Sequence, residues 1–145
     1  VPNATGNALY IFDGCSKLKS VEEFNIPGAA KSTASFRNCR ALKRIGKINI
    51  STSTDNTNLF QNCSDLENIT FEGSINSTLS FSNSSRLTES SIISILEAAS
   101  GTTNSDAKTL TFYSGTSISD PTGEIATLKN TCESKGWTIT NLTIE

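Results

Sequence analysis

Phe36-Arg37-Asn38-Cys39-Arg40-Ala41-Leu42 is the middle of three like phrases. Phe12-Asp13-Gly14-Cys15-Ser16-Lys17-Leu18 precedes it and Phe60-Gln61-Asn62-Cys63-Ser64-Asp65-Leu66 follows, each displaced by 24 residues. Self-similarity at a fixed period of that length is the signature of a solenoid, in which a unit too small to bury its own apolar face stacks on its neighbours. A weaker fourth copy, Phe81-Ser82-Asn83-Ser84-Ser85-Arg86-Leu87, comes after 21 residues with serine in the cysteine position, as expected near the end of an array. The repeat core is therefore predicted to be Phe12, Cys15, Leu18, Phe36, Cys39, Leu42, Phe60, Cys63 and Leu66.

A chain of 145 residues is short for two ordinary domains, so a single elongated body is expected. Its apolar content of 35% is low, and Ser, Thr and Asn fill the gap, which suits short strands alternating with polar turns. The net charge of -2 gives no reason to expect nucleic acid or an anionic membrane as partner, since both favour clustered Lys and Arg. No segment is apolar for long enough to span a bilayer. The opening Val1-Pro2 and the lack of a signal peptide suggest a mature form or an excised fragment. Four cysteines would ordinarily suggest two disulfides. Here Cys15, Cys39 and Cys63 share one repeat position, where a free thiol serves as a small buried hydrophobe, so an inward row of thiols is expected.

Each phrase leads into a β-branched stretch, Val21 to Ile26, Ile45 to Ile50 and Ile69 to Phe71, which are the predicted ladder strands. Glu22-Glu23 and Gly46-Lys47 suggest a bulge, absent from the third copy, where the shortening to 21 is placed. A second extended piece is read before each Phe, over Ala8 to Ile11, Thr33 to Ser35, Thr57 to Leu59 and Thr78 to Ser80. After Leu87 the pattern changes. Thr88 caps a helix along Ile92, Leu96 and Ala99 that stops at Gly101, and a strand follows from Thr109 to Tyr113. Asp120-Pro121 starts a second helix with Ile125, Leu128 and Cys132 on one stripe and Gly136 at its end, before a last strand from Trp137 to Ile144. The fold class is α/β: a repeat array over residues 1–87, with parallel strands, and a helix-strand-helix-strand cap over 88–145 that extends the repeat sheet.

The core Phe36 to Ile45, aromatic-x-x-Cys-x-x-Leu-x-x-Ile, resembles the BspA-like leucine-rich repeats, and the match covers roughly residues 9 to 87. Leu87 to Ile92, Lys108 to Phe112 and Lys135 to Ile139 look like the closing segment of such arrays in bacterial surface proteins and phage tail proteins. The resemblance implies a leucine-rich-repeat solenoid used in adhesion or recognition, not catalysis. The Ile-Pro element of the family persists only as Ile26-Pro27, because Ile50 is followed by Ser51.

No histidine is present, which removes the commonest general base and every nucleophile-His pair. Glu22 and Glu23, adjacent on an extended segment, point to opposite faces and read as solvated surface rather than a catalytic pair. Ser105-Asp106-Ala107-Lys108 has the Ser-x-x-Lys spacing of some acyl enzymes without their other motifs and reads as coincidence. Cys39 lies between Arg37 and Arg40, but its repeat position predicts an inert buried thiol. Asp55-Asn56-Thr57-Asn58 reads as a turn, since a calcium loop would need an acid where Leu66 stands. Asn-x-Ser/Thr sequons at Asn3, Asn49, Asn62, Asn68, Asn76, Asn83 and Asn141 follow from composition.

No catalytic, metal or cofactor site is therefore predicted. The candidate binding surface is the polar ladder of Asn25, Lys47, Asn49, Thr70 and Glu72, turned outward by strand alternation, with plain solvent-facing sheet as its bland reading. The expectation is an extracellular recognition domain at a bacterial cell surface that takes a protein or glycan, with a phage-tail part as the alternative. The polar start, Val1 to Asn7, resembles no cap, so the first copy, from Leu9 to Phe12, is expected to expose an apolar edge and unpaired strand groups that upstream repeats, a stalk or self-association cover.

Overall fold

The computed structural model describes residues 5–26 and 28–145, so the readings of Val1-Pro2, the Asn3 sequon and Pro27 lie outside it. The chain is mixed α/β. Among the described residues there are two helices and three parallel sheets, none closed. Strand β1 (Thr5–Asn7) pairs with β3 (Gly28–Lys31). The second sheet has the order β2-β4-β5, made of Ser20–Asn25, Arg44–Asn49 and Asn68–Phe71. The third has the order β6-β7-β8, made of Leu79–Ser80, Lys108–Ile118 and Trp137–Ile144.

The predicted ladder strands are β2, β4 and β5, and the 24-residue period is their register. Val21 faces Ile45, Phe24 faces Ile48 and Ile45 faces Ile69. The register slips by one residue between Ile45 and Ile48, where Ile48 comes opposite Phe71. This is the expected bulge position, and Gly46 shows its cause. A Cβ there would lie 2.6 Å from the backbone oxygen of Glu22, so only glycine lets the strands approach this closely. One residue of the shortening falls here. By Ser77 the whole of it is complete, because Asn56 Nδ2 donates to Ser77 Oγ, 21 residues on, whereas Ser32 Oγ donates to Asn56 Oδ1, 24 residues on.

The extended pieces read before the first three phrases are turns instead, and only Thr78 to Ser80 contains a strand. The reason is backbone handedness. Tyr10, Ala34 and Asn58 have φ of 56°, 54° and 56°, and Gly14, Asn38 and Asn62 have φ of 75°, 63° and 61°. Two left-handed residues per copy coil the chain too tightly for a strand. Gly and Asn suit that conformation and mark it in the sequence, whereas Tyr10 and Ala34 do not.

The core is one apolar cluster running through the copies. Its spine is a stack of phenylalanines: Phe12 on Phe36 at 5.3 Å, Phe36 on Phe60 at 5.9 Å, Phe60 on Phe81 at 4.9 Å and Phe81 on Phe112 at 6.4 Å. The stack thus continues past the last recognisable copy into β7. Phe36, Cys39, Leu42, Phe60, Cys63 and Leu66 are buried as predicted, but the first copy is not: Phe12 and Leu18 are half-buried and Cys15 is exposed. The inward row therefore has two members. Each packs against the copy before it, and none of the described residues does this for Cys15.

Helix α1 (Glu89–Ser100) starts at the Thr88 cap and ends at Gly101, as read from the sequence. It does not lead to another ladder strand. It lies along β5, where Ser91 Oγ and Ser94 Oγ accept the N–H groups of Ile69 and Phe71 at 3.0 and 2.8 Å. Strands β7 and β8 join β6 instead, so the expected extension of the ladder sheet is corrected to a helix covering its edge and a separate sheet beside it. Strand β7 also runs beyond Tyr113, to Ile118. Helix α2 (Glu124–Ser134) begins later than Asp120-Pro121, because Asp120 reaches forward and accepts from the N–H groups of Ile125 and Ala126 at 3.2 and 2.9 Å. Strand β8 has the predicted bounds. Its Trp137 is buried against α1, with Nε1 donating to Ala99 O and Thr102 Oγ1, both at 3.0 Å.

Candidate functional site

Of the expected polar ladder, Lys47, Thr70 and Glu72 are exposed beside or on β2-β4-β5, whereas Asn25 and Asn49 are half-buried. Asn25 stands beside Asn49. Lys47 Nζ lies 3.2 Å from Glu72 Oε1, and Arg44 Nη1 lies 2.6 Å from Glu22 Oε1. Thr70 is exposed on β5. The guanidinium of Arg44, through its hydrogen bond, holds the Glu22 carboxyl below its ordinary value. These are exposed pairs in a screened environment, so each contributes little to stability. Of the five expected residues, Asn25 and Asn49 thus stand side by side on β2 and β4, and Lys47 is ion-paired with Glu72 just past the end of β5.

The two asparagines differ for a chemical reason. Asn49 Oδ1 accepts from both the N–H and the hydroxyl of Ser51, at 3.0 and 2.7 Å. The residue two beyond Asn25 is Pro27, which has no N–H to give. Asn25 Oδ1 is accordingly buried with no hydrogen-bond partner among the described residues.

The other sequence candidates take their bland readings. Cys39 and Cys63 are buried, and desolvation pushes their thiols up to about 11 and about 12. They are inert as nucleophiles near neutrality. Arg37, which flanks Cys39, is engaged by Asp13 through Nε at 2.9 Å. Lys108 Nζ donates to Asn104 O, Asn104 Oδ1 and Asp106 O, at 3.2, 2.7 and 2.5 Å, so its three donors are directed away from Ser105. Asp55 Oδ1 accepts from Thr57 N at 3.0 Å, the geometry of an Asx turn, and bonds with Thr57 hold its carboxyl below the ordinary value. Among the described residues, no group of three or more His, Cys, Asp or Glu side chains is placed to hold a metal ion, and no helix is long and apolar enough to cross a membrane.

One surface feature escaped the sequence reading. It is a cleft of about 480 Å³ between the turns around Asn56 and Ser77 and the loop ahead of β7, with Asp55, Asn58, Thr78 and Asp106 on its walls. No local pattern announces it, since it forms where three separated loops meet. At the expected apolar edge of the first copy the structure places an exposed pair. Leu9 and Tyr10 are 39% and 51% exposed, and the guanidinium carbon of Arg37 lies 5.3 Å from the centroid of the Tyr10 ring. Aligning the copies sets it apart, because the later ones carry Thr33-Ala34 and Thr57-Asn58 at these positions.

No protein-family model, no curated protein and no solved structure matches the chain. The fold and the surface alone carry the functional argument.

Proposed function

We propose that this chain is a non-enzymatic recognition or adhesion domain at a bacterial cell surface, a short solenoid of the BspA-like leucine-rich-repeat kind. In this reading it holds a protein or glycan against the outer side of β2-β4-β5. The observation that carries the reading is the register of that sheet. It sets Asn25 beside Asn49 on β2 and β4, and the Lys47 ammonium on β4 reaches Glu72 just past the end of β5. A rigid sheet that presents polar groups at a fixed step suits an extended ligand, because little order has to be imposed on the protein when it binds.

The test is a binding screen of the immobilised domain against glycans and extracellular-matrix proteins, followed by the variants Lys47→Glu and Thr70→Ala, both at exposed positions, on any ligand found. Both changes lie on the surface, so the melting temperature should hold while affinity falls at least tenfold. Binding that is unaffected by both variants would sink the assignment of this face. A trimeric mass in solution would instead favour the phage-tail reading.

A further inference from the structure

The turns have a direction that the sequence does not show. Over the turns at residues 10–14 and 34–38 the earlier copy donates and the later one accepts, whereas outside them the direction also reverses, as where Lys43 N–H is given to Lys19 O and Thr54 N–H to Ala30 O. Tyr10, Phe12 and Gly14 give their N–H groups to the carbonyls of Thr33, Ser35 and Arg37 at 3.1, 2.7 and 2.8 Å. Ala34, Phe36 and Asn38 give theirs to Thr57, Leu59 and Gln61 at 2.9, 3.0 and 2.8 Å. The N–H groups in between close the turns on themselves, as Asp13 does on Tyr10 and Arg37 on Ala34. Each turn therefore has a donating side and an accepting side.

The accepting side of the first turn consists of the carbonyls of Leu9, Ile11 and Asp13, and among the described residues no donor meets them. The thiol row breaks at the same place. Cys39 Sγ donates to Phe12 O and Cys63 Sγ to Phe36 O, both at 3.1 Å, while Cys15 is exposed. Ala34, which has a turn on either side, is 1% exposed, and its equivalent Tyr10 is 51% exposed.

We infer that this side is a docking surface for a polypeptide segment folded as one more turn of the same kind, presenting N–H groups at alternate residues, and not for a second copy of this molecule. Two first turns brought together by a two-fold axis would set carbonyl against carbonyl, leaving acceptors without donors. Stacking head to tail would set the coiled first turn against an extended edge: β8, the outer strand, offers its N–H groups along Trp137–Ile144 in strand geometry broken at the left-handed Asn141 (φ 63°), which does not match a turn with two left-handed residues. One further turn supplies three N–H groups in register, offers Cys15 a carbonyl and covers Phe12 and Leu18. It repeats the interface already present between the first and second copies.

The probe is the segment with the sequence of residues 28–51, carrying Cys39→Ala, fused ahead of residue 4 so that the spacing of 24 continues. The fused unit should slow alkylation of Cys15 at least tenfold, towards the rates of Cys39 and Cys63, and unfolding should remain a single transition with a raised midpoint. A scrambled segment of equal length should do neither. The proposal is overturned if Cys15 reacts at its original rate while protease trims the added unit and leaves the parent chain. It is overturned equally if the unfused chain is a dimer in which Cys15 is protected. Should the fusion fail to fold, the same peptide added in trans at millimolar concentration decides the matter, and an unchanged Cys15 rate then rejects the docking surface.

Discussion

The two ends of the repeat segment are finished in opposite ways. At the last copy, hydroxyls of α1 occupy the N–H groups of β5, and the phenylalanine stack passes from Phe81 to Phe112. At the first copy, Phe12 stacks among the described residues on Phe36 alone, and Leu9, Tyr10 and Cys15 face solvent. A repeat position therefore fixes geometry but not environment. Cys15 and Cys39 share one place in one phrase, yet their exposure differs because, among the described residues, Cys39 has the first copy packed against it and Cys15 has no such neighbour.

The sharpest way to break this contrast is to uncover the closed end. A chain ending at Leu87 should lose solubility and cooperative unfolding, because α1 and Phe112 no longer cover the apolar side chains of the buried cluster. A truncated chain that stayed monomeric with one steep denaturant transition would show that the covering is dispensable. Next in size is the stack itself. Phe60→Ala should cost about 3–5 kcal/mol by urea denaturation, the range for truncating a buried aromatic, and Phe12→Ala less than half as much, since Phe12 is already half-exposed. Equal losses at the two positions would erase the difference between interior and edge.

Smaller effects follow at the thiols. Cys39→Ser adds a more polar group to a buried site and should destabilise by about 1–3 kcal/mol. Cys15→Ser should stay within about 0.5 kcal/mol, as surface changes usually do. Rapid native labelling of Cys15 beside slow labelling of Cys39 and Cys63 is the matching kinetic result, and three equal rates would refute it. The smallest expected effect is acid sensitivity at the open end. The hydrogen bond from Arg37 lowers the Asp13 pKa below its ordinary 3.8. A carboxyl depressed in the folded state contributes stability that is present above the unfolded value and lost as pH falls through the folded one. Melting curves of Asp13→Asn should therefore be slightly flatter than those of the parent below about pH 4, and an identical acid limb would discount the pair.

Much of the architecture was legible because apolar spacing and register are the same fact in a stacked sheet. The period of 24 became the pairing of Val21 with Ile45 and of Ile45 with Ile69. Helix α1 and strand β8 were legible from a cap, a stop and periodicity. The turns were misread as strands because handedness leaves no apolar signature, and Tyr10 and Ala34 carry none of the Gly or Asn marks that betray it. The place of β7 was hidden for a different reason. Only contact shows that Phe112 continues a stack begun at Phe12, since it sits 31 residues beyond Phe81 instead of 24 or 21. Of the candidate surface, alternation along the strands supplied the outward Lys47, Thr70 and Glu72, but the ion pair of Lys47 with Glu72 shows only in the side-chain contact, since Glu72 lies just past β5.

The single tryptophan gives the molecule an uneven optical signature. Trp137 is buried between β8 and α1, with its indole N–H bonded to Ala99 and Thr102 and the Lys108 ammonium 5.5 Å from its ring centroid. Emission from this chain is therefore a local report on the helical end, while the repeats toward Phe12 are dark at that wavelength. A fluorescence melt and a circular-dichroism melt interrogate different parts of the same body. Coincidence of the two curves would be a direct measure of how far cooperativity travels along the stack, from the covered end to the bare one.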